Sequence, residues 1–108
     1  MSKFVATNNK GFQMTFENGF RISVQWGPGN YCEVKGADFG AAMKTDFWES
    51  TSAEIAVFGK DGEFITITNY PDVVAGWLST DKVAKVITIV QSATTKEEIE
   101  TKLKELNI

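Results

Sequence analysis

The sequence contains no histidine and only one cysteine, Cys32. The first absence removes the commonest general base, the commonest metal ligand and the only side chain that ordinarily titrates near neutral pH. A serine or cysteine nucleophile would lack its usual activator. The second excludes an internal disulfide and a thiolate zinc cluster, which fits a cytoplasmic chain, or at least one without disulfide staples. Runs of lysine and arginine are missing too. With a net charge of −3, an extended nucleic acid is not an expected partner. No apolar block is long enough for a signal peptide or a membrane span, so no membrane partner is expected either. Arginine occurs once, as Arg21.

What is present is the composition of one ordinary globular domain spanning residues 1–108, with 43% apolar and 23% charged side chains. A chain of this length buries roughly two-thirds of the surface it exposes when unfolded, enough for one core without metal or disulfide.

Phe12, Met14 and Phe16 alternate with polar residues, and Phe20, Ile22, Val24 and Trp26 do so again. Two half-buried strands fit this alternation. A two-residue turn at Asn18-Gly19 would put the two apolar rows on opposite faces. A three-residue turn with Gly19 left-handed pairs Phe16 with Phe20, Met14 with Ile22 and Phe12 with Val24, and joins the rows. The same device at Lys60-Asp61-Gly62 pairs Val57 with Ile65, Ile55 with Ile67 and, on the reverse face, Phe58 with Phe64. After Tyr70-Pro71-Asp72 the period changes. Val83, Val86, Ile87 and Val90 recur at helical spacing behind Ser79 and Thr80, either of which can cap. Thr95 to Glu98 has capping-box spacing, and Ile99, Leu103 and Leu106 form a second helical stripe. Lys96 with Glu100, and Glu98 with Lys102, sit at i,i+4 spacing on a solvated face. The expected fold is α+β: an antiparallel sheet built from two β-hairpins, packed on one face by the C-terminal helices.

Residues 27–51 show no convincing period apart from room for a short helix around Ala41 to Met43 or a short edge strand. A structureless stretch of this length is uncommon inside a compact domain unless it binds something. Gly27-Pro28-Gly29-Asn30 follows a strand, and its glycines let backbone amides converge on an anion. It has neither a Walker loop's lysine nor a dinucleotide fingerprint, and the same residues also suit a plain type II turn. Arg21 lies on the polar row of its strand with Ser23 and Gln25. There it suits bidentate capture of phosphate or carboxylate, or simple pairing with a neighbouring acid. Trp26, Tyr31, Phe39, Phe47, Trp48, Tyr70 and Trp77 sit in or beside irregular segments, where such rings stack on a base, anchor an interface or plug the core. Asp38, Asp46 and Glu49 raise carboxylate hydrolysis or cation binding, but EF-hand spacing is absent and no metal is assigned. Cys32 reads as a small buried hydrophobe.

Asn18 to Cys32, followed by Trp48-Glu49-Ser50 and Ala53 to Val57, resembles small orphan proteins encoded by bacteriophages. The resemblance implies no activity for particular residues. It does imply a setting, the cytoplasm of an infected bacterium, where many such proteins bind a host protein or sequester a host signalling molecule.

The leading expectation is a non-enzymatic protein without cofactor that binds a small anionic, nucleotide-derived ligand, as a sponge against host immune signalling. Arg21, Ser23, Gln25, Trp26, Gly27, Gly29, Asn30, Tyr31 and Trp48 form the expected site. Arg21 and the Gly27 to Asn30 amides would hold phosphate, Gln25 and Asn30 would read polar edges, and Trp26, Tyr31 or Trp48 would stack the base. The alternatives are a module that inhibits a host protein through the same aromatics and, ranked last, a carboxylate-dependent hydrolase. Unpaired sheet edges leave room for a homo-oligomer.

Overall fold

The computed structural model describes residues 2–8, 10–69 and 72–108. In chain order its elements are β1 (Lys3–Thr7), β2 (Gly11–Thr15), β3 (Arg21–Gln25), α1 (Phe39–Lys44), β4 (Ala53–Phe58), β5 (Phe64–Ile65), β6 (Val74–Leu78), α2 (Thr80–Ser92) and α3 (Lys96–Glu105). The strands form one antiparallel sheet ordered β1-β2-β3-β4, with β5 and β6 sharing the far edge of β4.

Both expected turns close as three-residue loops. The Phe16 N–H donates to the Phe20 carbonyl at 2.9 Å, with Gly19 at φ 90°. The Gly59 N–H donates to the Glu63 carbonyl at 2.8 Å, with Gly62 at φ 84°. Phe12 therefore faces Val24, Met14 faces Ile22, Val57 faces Ile65 and Phe58 faces Phe64. One expected pair does not form: Ile55 faces Ala75, not Ile67. The chain leaves the ladder after Ile65, and β6 takes over the rest of that edge, although Ile67 is still fully buried.

Two strands lay outside the sequence expectation. β1 pairs with β2 around a turn whose left-handed position is held by Lys10 at φ 58°, so no glycine announces it. β6 carries a bulge. Leu78 faces Ala53 and Ala75 faces Ile55, leaving Gly76 and Trp77 together opposite Glu54. Its inward residues, Ala75 and Leu78, are consequently three apart and match no strand period. Tyr70 and Pro71, from the expected break before the helices, lie outside the described residues.

α2 and α3 cover one face of the sheet. Ser79 and Thr95 cap them, accepting from the N–H groups of Lys82 and Glu98. Val83, Val86, Val90, Ile99 and Leu103 are buried against Ile22, Val24, Ile55 and Val57, and each fully buried side chain contributes about 2 kcal/mol. Both i,i+4 ion pairs form. Asn18 has a second role beyond the turn: its Nδ2 donates to the carbonyls of Val90, Gln91 and Ala93 at 2.9 to 3.1 Å, tying the hairpin tip to the C-terminal end of α2. Among the described residues no helix is long and apolar enough to cross a membrane.

Candidate functional site

The helices leave the other face of the sheet open, and register arranges its side chains in three transverse rows. The first row runs Lys3, Thr15, Arg21, Phe58, Phe64 across five strands. The second runs Val5, Gln13, Ser23, Ala56, Val74. The third runs Thr7, Gly11, Gln25, Glu54 and ends at the Gly76-Trp77 bulge.

The third row is satisfied from within. Gln25 accepts from the Thr7 hydroxyl at 2.7 Å and donates to the Ser23 hydroxyl at 3.2 Å. Both Ser23 and Gln25 are buried, and Gln25 lies over Gly11, where a Cβ would come 2.7 Å from its Oε1. The loop after β3 folds over the same end. The Asn30 side chain caps it by accepting from the Gly27 N–H at 2.9 Å, and its amide donates to Glu54 at 3.2 Å. The Tyr31 N–H donates to the other Glu54 oxygen at 3.0 Å. A convergence of donors suited to an anion therefore already holds one, the protein's own carboxylate. The buried Cys32 closes the turn, its thiol contacting the Gly27 carbonyl at 3.5 Å. Gly29 is exposed and lies against the Phe39 ring.

Trp26 and Trp48 are not beside Arg21. Trp26 continues the core-facing row and meets Phe12 edge-on at 6.2 Å. Its indole N–H donates to the Trp48 carbonyl at 2.9 Å, and the Trp48 indole returns a bond to the Trp26 carbonyl at 3.0 Å. This reciprocal clasp closes the base of the 27–47 excursion. Beneath it, between the sheet and α2, lies a half-open cavity of about 300 Å³ lined mainly by Phe12, Val24, Trp26, Leu78, Val83 and Ile87.

Arg21 stands at the opposite end of β3 from the glycine loop, with the full strand, about 13 Å at the usual rise per residue, between them. Its guanidinium lies over the Phe58 ring at 4.3 Å from the centroid, and Phe58 meets Phe64 at 4.7 Å. Among the described residues, Nε is shielded from solvent without an acceptor, and the terminal nitrogens have no hydrogen-bond or ion-pair partner either. The neighbouring acid the sequence allowed is therefore not in place. Asp61 accepts from the Glu63 N–H in its own turn, and Glu17 accepts from the Ser2 hydroxyl. Asp38, raised as a loop carboxylate, caps α1 by accepting from the N–H groups of Gly40 and Ala41.

The sequence-derived set thus divides into three places: Arg21, Ser23 and Gln25 on the open face, the Gly27 to Tyr31 loop at its far end, and Trp26 with Trp48 on the helix side. Sequence reasoning missed Glu54, Lys3 and the Phe58 and Phe64 pair as neighbours of this surface. The alternation placing Phe58 and Phe64 on the reverse face was the available signal for that pair. The other aromatic feature is at the bulge, where Trp77, 59% exposed, and Tyr31, 44% exposed, bring their rings to 5.4 Å. Trp77 has φ 53°, a conformation that a bulky side chain rarely adopts. It is held there by donating its N–H to the Tyr31 carbonyl at 2.8 Å.

No family model matches the chain, and neither curated proteins nor solved structures include a significant match to it.

Proposed function

We propose that the chain is a non-enzymatic binding protein that holds a small anionic ligand on the open face of its sheet, with Arg21 as the anion contact. The observation that supports this is the lone guanidinium. It is half-buried and steadied on Phe58, yet has no carboxylate or carbonyl partner among the described residues. A planar cation held in this way loses little side-chain freedom when an anion docks on its free nitrogens. Ser23, Gln25 and Asn30 support the sheet and loop in this reading; their hydrogen bonds are spent internally. In a phage-infected cell, such a protein would serve as a sponge for a host signalling anion.

The test is to incubate the purified protein with a nucleotide mixture, remove free ligand, denature it and analyse what is released, alongside thermal shifts of wild type and Arg21→Ala. Recovery of an intact anion, with stabilisation lost in the variant, supports the reading. Undiminished stabilisation in Arg21→Ala, or release of a chemically altered product, overturns it.

The second reading, a module that binds a host protein, draws on the Tyr31 and Trp77 pair. Two large exposed rings packed against each other at a strained bulge have the make-up of an interface hot spot. Under that reading Trp77→Ala abolishes partner binding while Arg21→Ala leaves it intact.

A further inference from the structure

The two edges of the sheet are built differently. At the far edge β5 has two residues and β6 is broken by its bulge, and short strands and bulges are what keep an edge from pairing with another chain. The β1 edge has neither. Its five residues, Lys3 to Thr7, pair with β2 without a register shift, contain no proline, and carry their one charge at the end, on Lys3. Hydrogen bonding fixes which backbone groups face outward. The Phe16 N–H donates to the Phe20 carbonyl and the Trp26 N–H to the Lys10 carbonyl, both at 2.9 Å, so even-numbered residues of β2 bond toward β3 and odd-numbered ones toward β1. Those odd residues, Gly11, Gln13 and Thr15, face Thr7, Val5 and Lys3. The N–H and C=O groups of Phe4 and Ala6 therefore point away from the sheet, toward no strand among the described residues. Phe4 belongs to the core-facing row with Met14, Ile22 and Val57, yet it is 79% exposed.

We infer that β1 pairs antiparallel with β1 of a second copy, joining the two sheets across a two-fold axis at Val5. The free groups of the two edges meet only in registers that set even-numbered residues opposite even-numbered ones. Of these, the register centred on Val5 is the one that engages all five residues of both strands. Phe4 then exchanges both backbone hydrogen bonds with the partner's Ala6, and symmetry repeats the pair. Val5 meets the partner's Val5 in the close, non-hydrogen-bonded position, a favourable contact of β-branched side chains. Lys3 faces the partner's Thr7, so no like charges are opposed. The Phe4 ring lies beside the small side chain of the partner's Ala6 and diagonal to the partner's Phe4, within reach of it. The strand is thus complementary to itself in shape, charge and hydrogen bonding, which points to a second copy as the occupant. One short strand edge buries less than the roughly 1,200 Å² of tight complexes, so the dimer forms on the order of 100 µM and the monomer dominates in dilute solution. The pairing is independent of what the open face binds.

The experiment follows mass by sedimentation equilibrium from about 5 to about 500 µM, a range that brackets this affinity, for wild type and Val5→Lys, with folding checked by circular dichroism. Val5 is on the open face and 39% exposed, so the lysine leaves the core intact while setting two like charges directly opposite each other at the axis. Wild type is expected to approach twice the monomer mass at the upper end and Val5→Lys to stay monomeric throughout. Register is read separately with Val5→Cys and Lys3→Cys, oxidised by glutathione disulfide and run on a non-reducing gel. Facing Val5 positions are about 4.5 Å apart between Cα atoms, within the span of a disulfide, whereas the two Lys3 positions are about 14 Å apart along the strand, beyond it. Val5→Cys is therefore expected to cross-link into a covalent dimer and Lys3→Cys to stay monomeric, with the buried Cys32 out of reach in both. A wild type that is monomeric at every concentration, a dimer that survives Val5→Lys, or equal cross-linking at the two positions overturns the inference.

Discussion

At Glu54 one carboxylate accepts from the Asn30 amide and from the Tyr31 N–H, which decides what the glycine turn is able to hold. Glu54→Gln keeps one acceptor oxygen and sets its NH2 against the second donor, with an expected cost of about 1 to 3 kcal/mol in urea denaturation and faster amide exchange at Tyr31. An unchanged midpoint with unchanged exchange would show that the carboxylate does not anchor the loop. Glycine matters for different reasons at two other positions. A Cβ at Gly11 would run into the Val24 carbonyl oxygen of the neighbouring strand, as well as the Gln25 side chain, so Gly11→Ala is expected to cost about 3 kcal/mol by overpacking against backbone. At Gly62 a Cβ meets nothing within 4 Å, but φ is +84°, so Gly62→Ala is expected to cost about 1 to 2 kcal/mol by backbone strain alone. Asparagine, which tolerates that conformation, should recover much of the Gly62 loss and none of the Gly11 loss when the denaturation midpoints are compared.

Among the elements, α3 shows how much of a helix resides in its first turn. Thr95 caps it by accepting from the Glu98 N–H, and Glu98 reaches back to the Thr94 N–H and hydroxyl while pairing with Lys102. The Thr94 N–H, then the Lys102 ammonium and the Thr94 hydroxyl, hold the Glu98 carboxyl down to about 2 from its ordinary 4.5. A carboxyl lowered by folding stabilises the fold fully above its ordinary value and loses that contribution as pH falls from about 4.5 toward 2. Acid titration followed by the thermal midpoint should therefore show a loss in that window, and Glu98→Gln should remove part of its pH dependence. Identical acid profiles for the two proteins would contradict the assignment. Thr95→Ala is expected to lower stability by about 1 kcal/mol at neutral pH.

On the scale of the whole molecule, Asn18 joins the sheet to the helical layer. Three carbonyls at the end of α2 share its amide. Asn18→Ala leaves them without that donor, at an expected cost of about 1 to 3 kcal/mol. Asn18→Asp should cost more, because it sets a carboxylate against carbonyl oxygens at the negative end of a helix dipole. Equal denaturation midpoints for the two variants would show that the contact carries no electrostatic weight. Native-state hydrogen exchange should rank the strands as well: β3 and β4, paired on both sides and packed beneath α2, should exchange last, and the exposed edge strand β1 early.

The sequence by itself determined those parts of the molecule whose causes are local. Alternation of Phe12 to Trp26 and the left-handed glycines at 19 and 62 specify both expected hairpins, because a one-residue change of register would turn an apolar row to water. The caps at Ser79 and Thr95 and the stripes behind them specify the two long helices. Tertiary structure alone decided the rest. β1 lacks a turn glycine and β6 breaks its alternation at a bulge, so neither carries a periodic signal. The candidate site was legible at Arg21 and illegible as a whole, for the same physical reason. Whether a polar group is free depends on partners distant in the chain: Thr7 for Gln25, and Glu54 for Asn30 and Tyr31. Only after folding distributed those hydrogen bonds did one guanidinium remain unclaimed, in a row with Lys3 and two phenyl rings that strand pairing alone brings together.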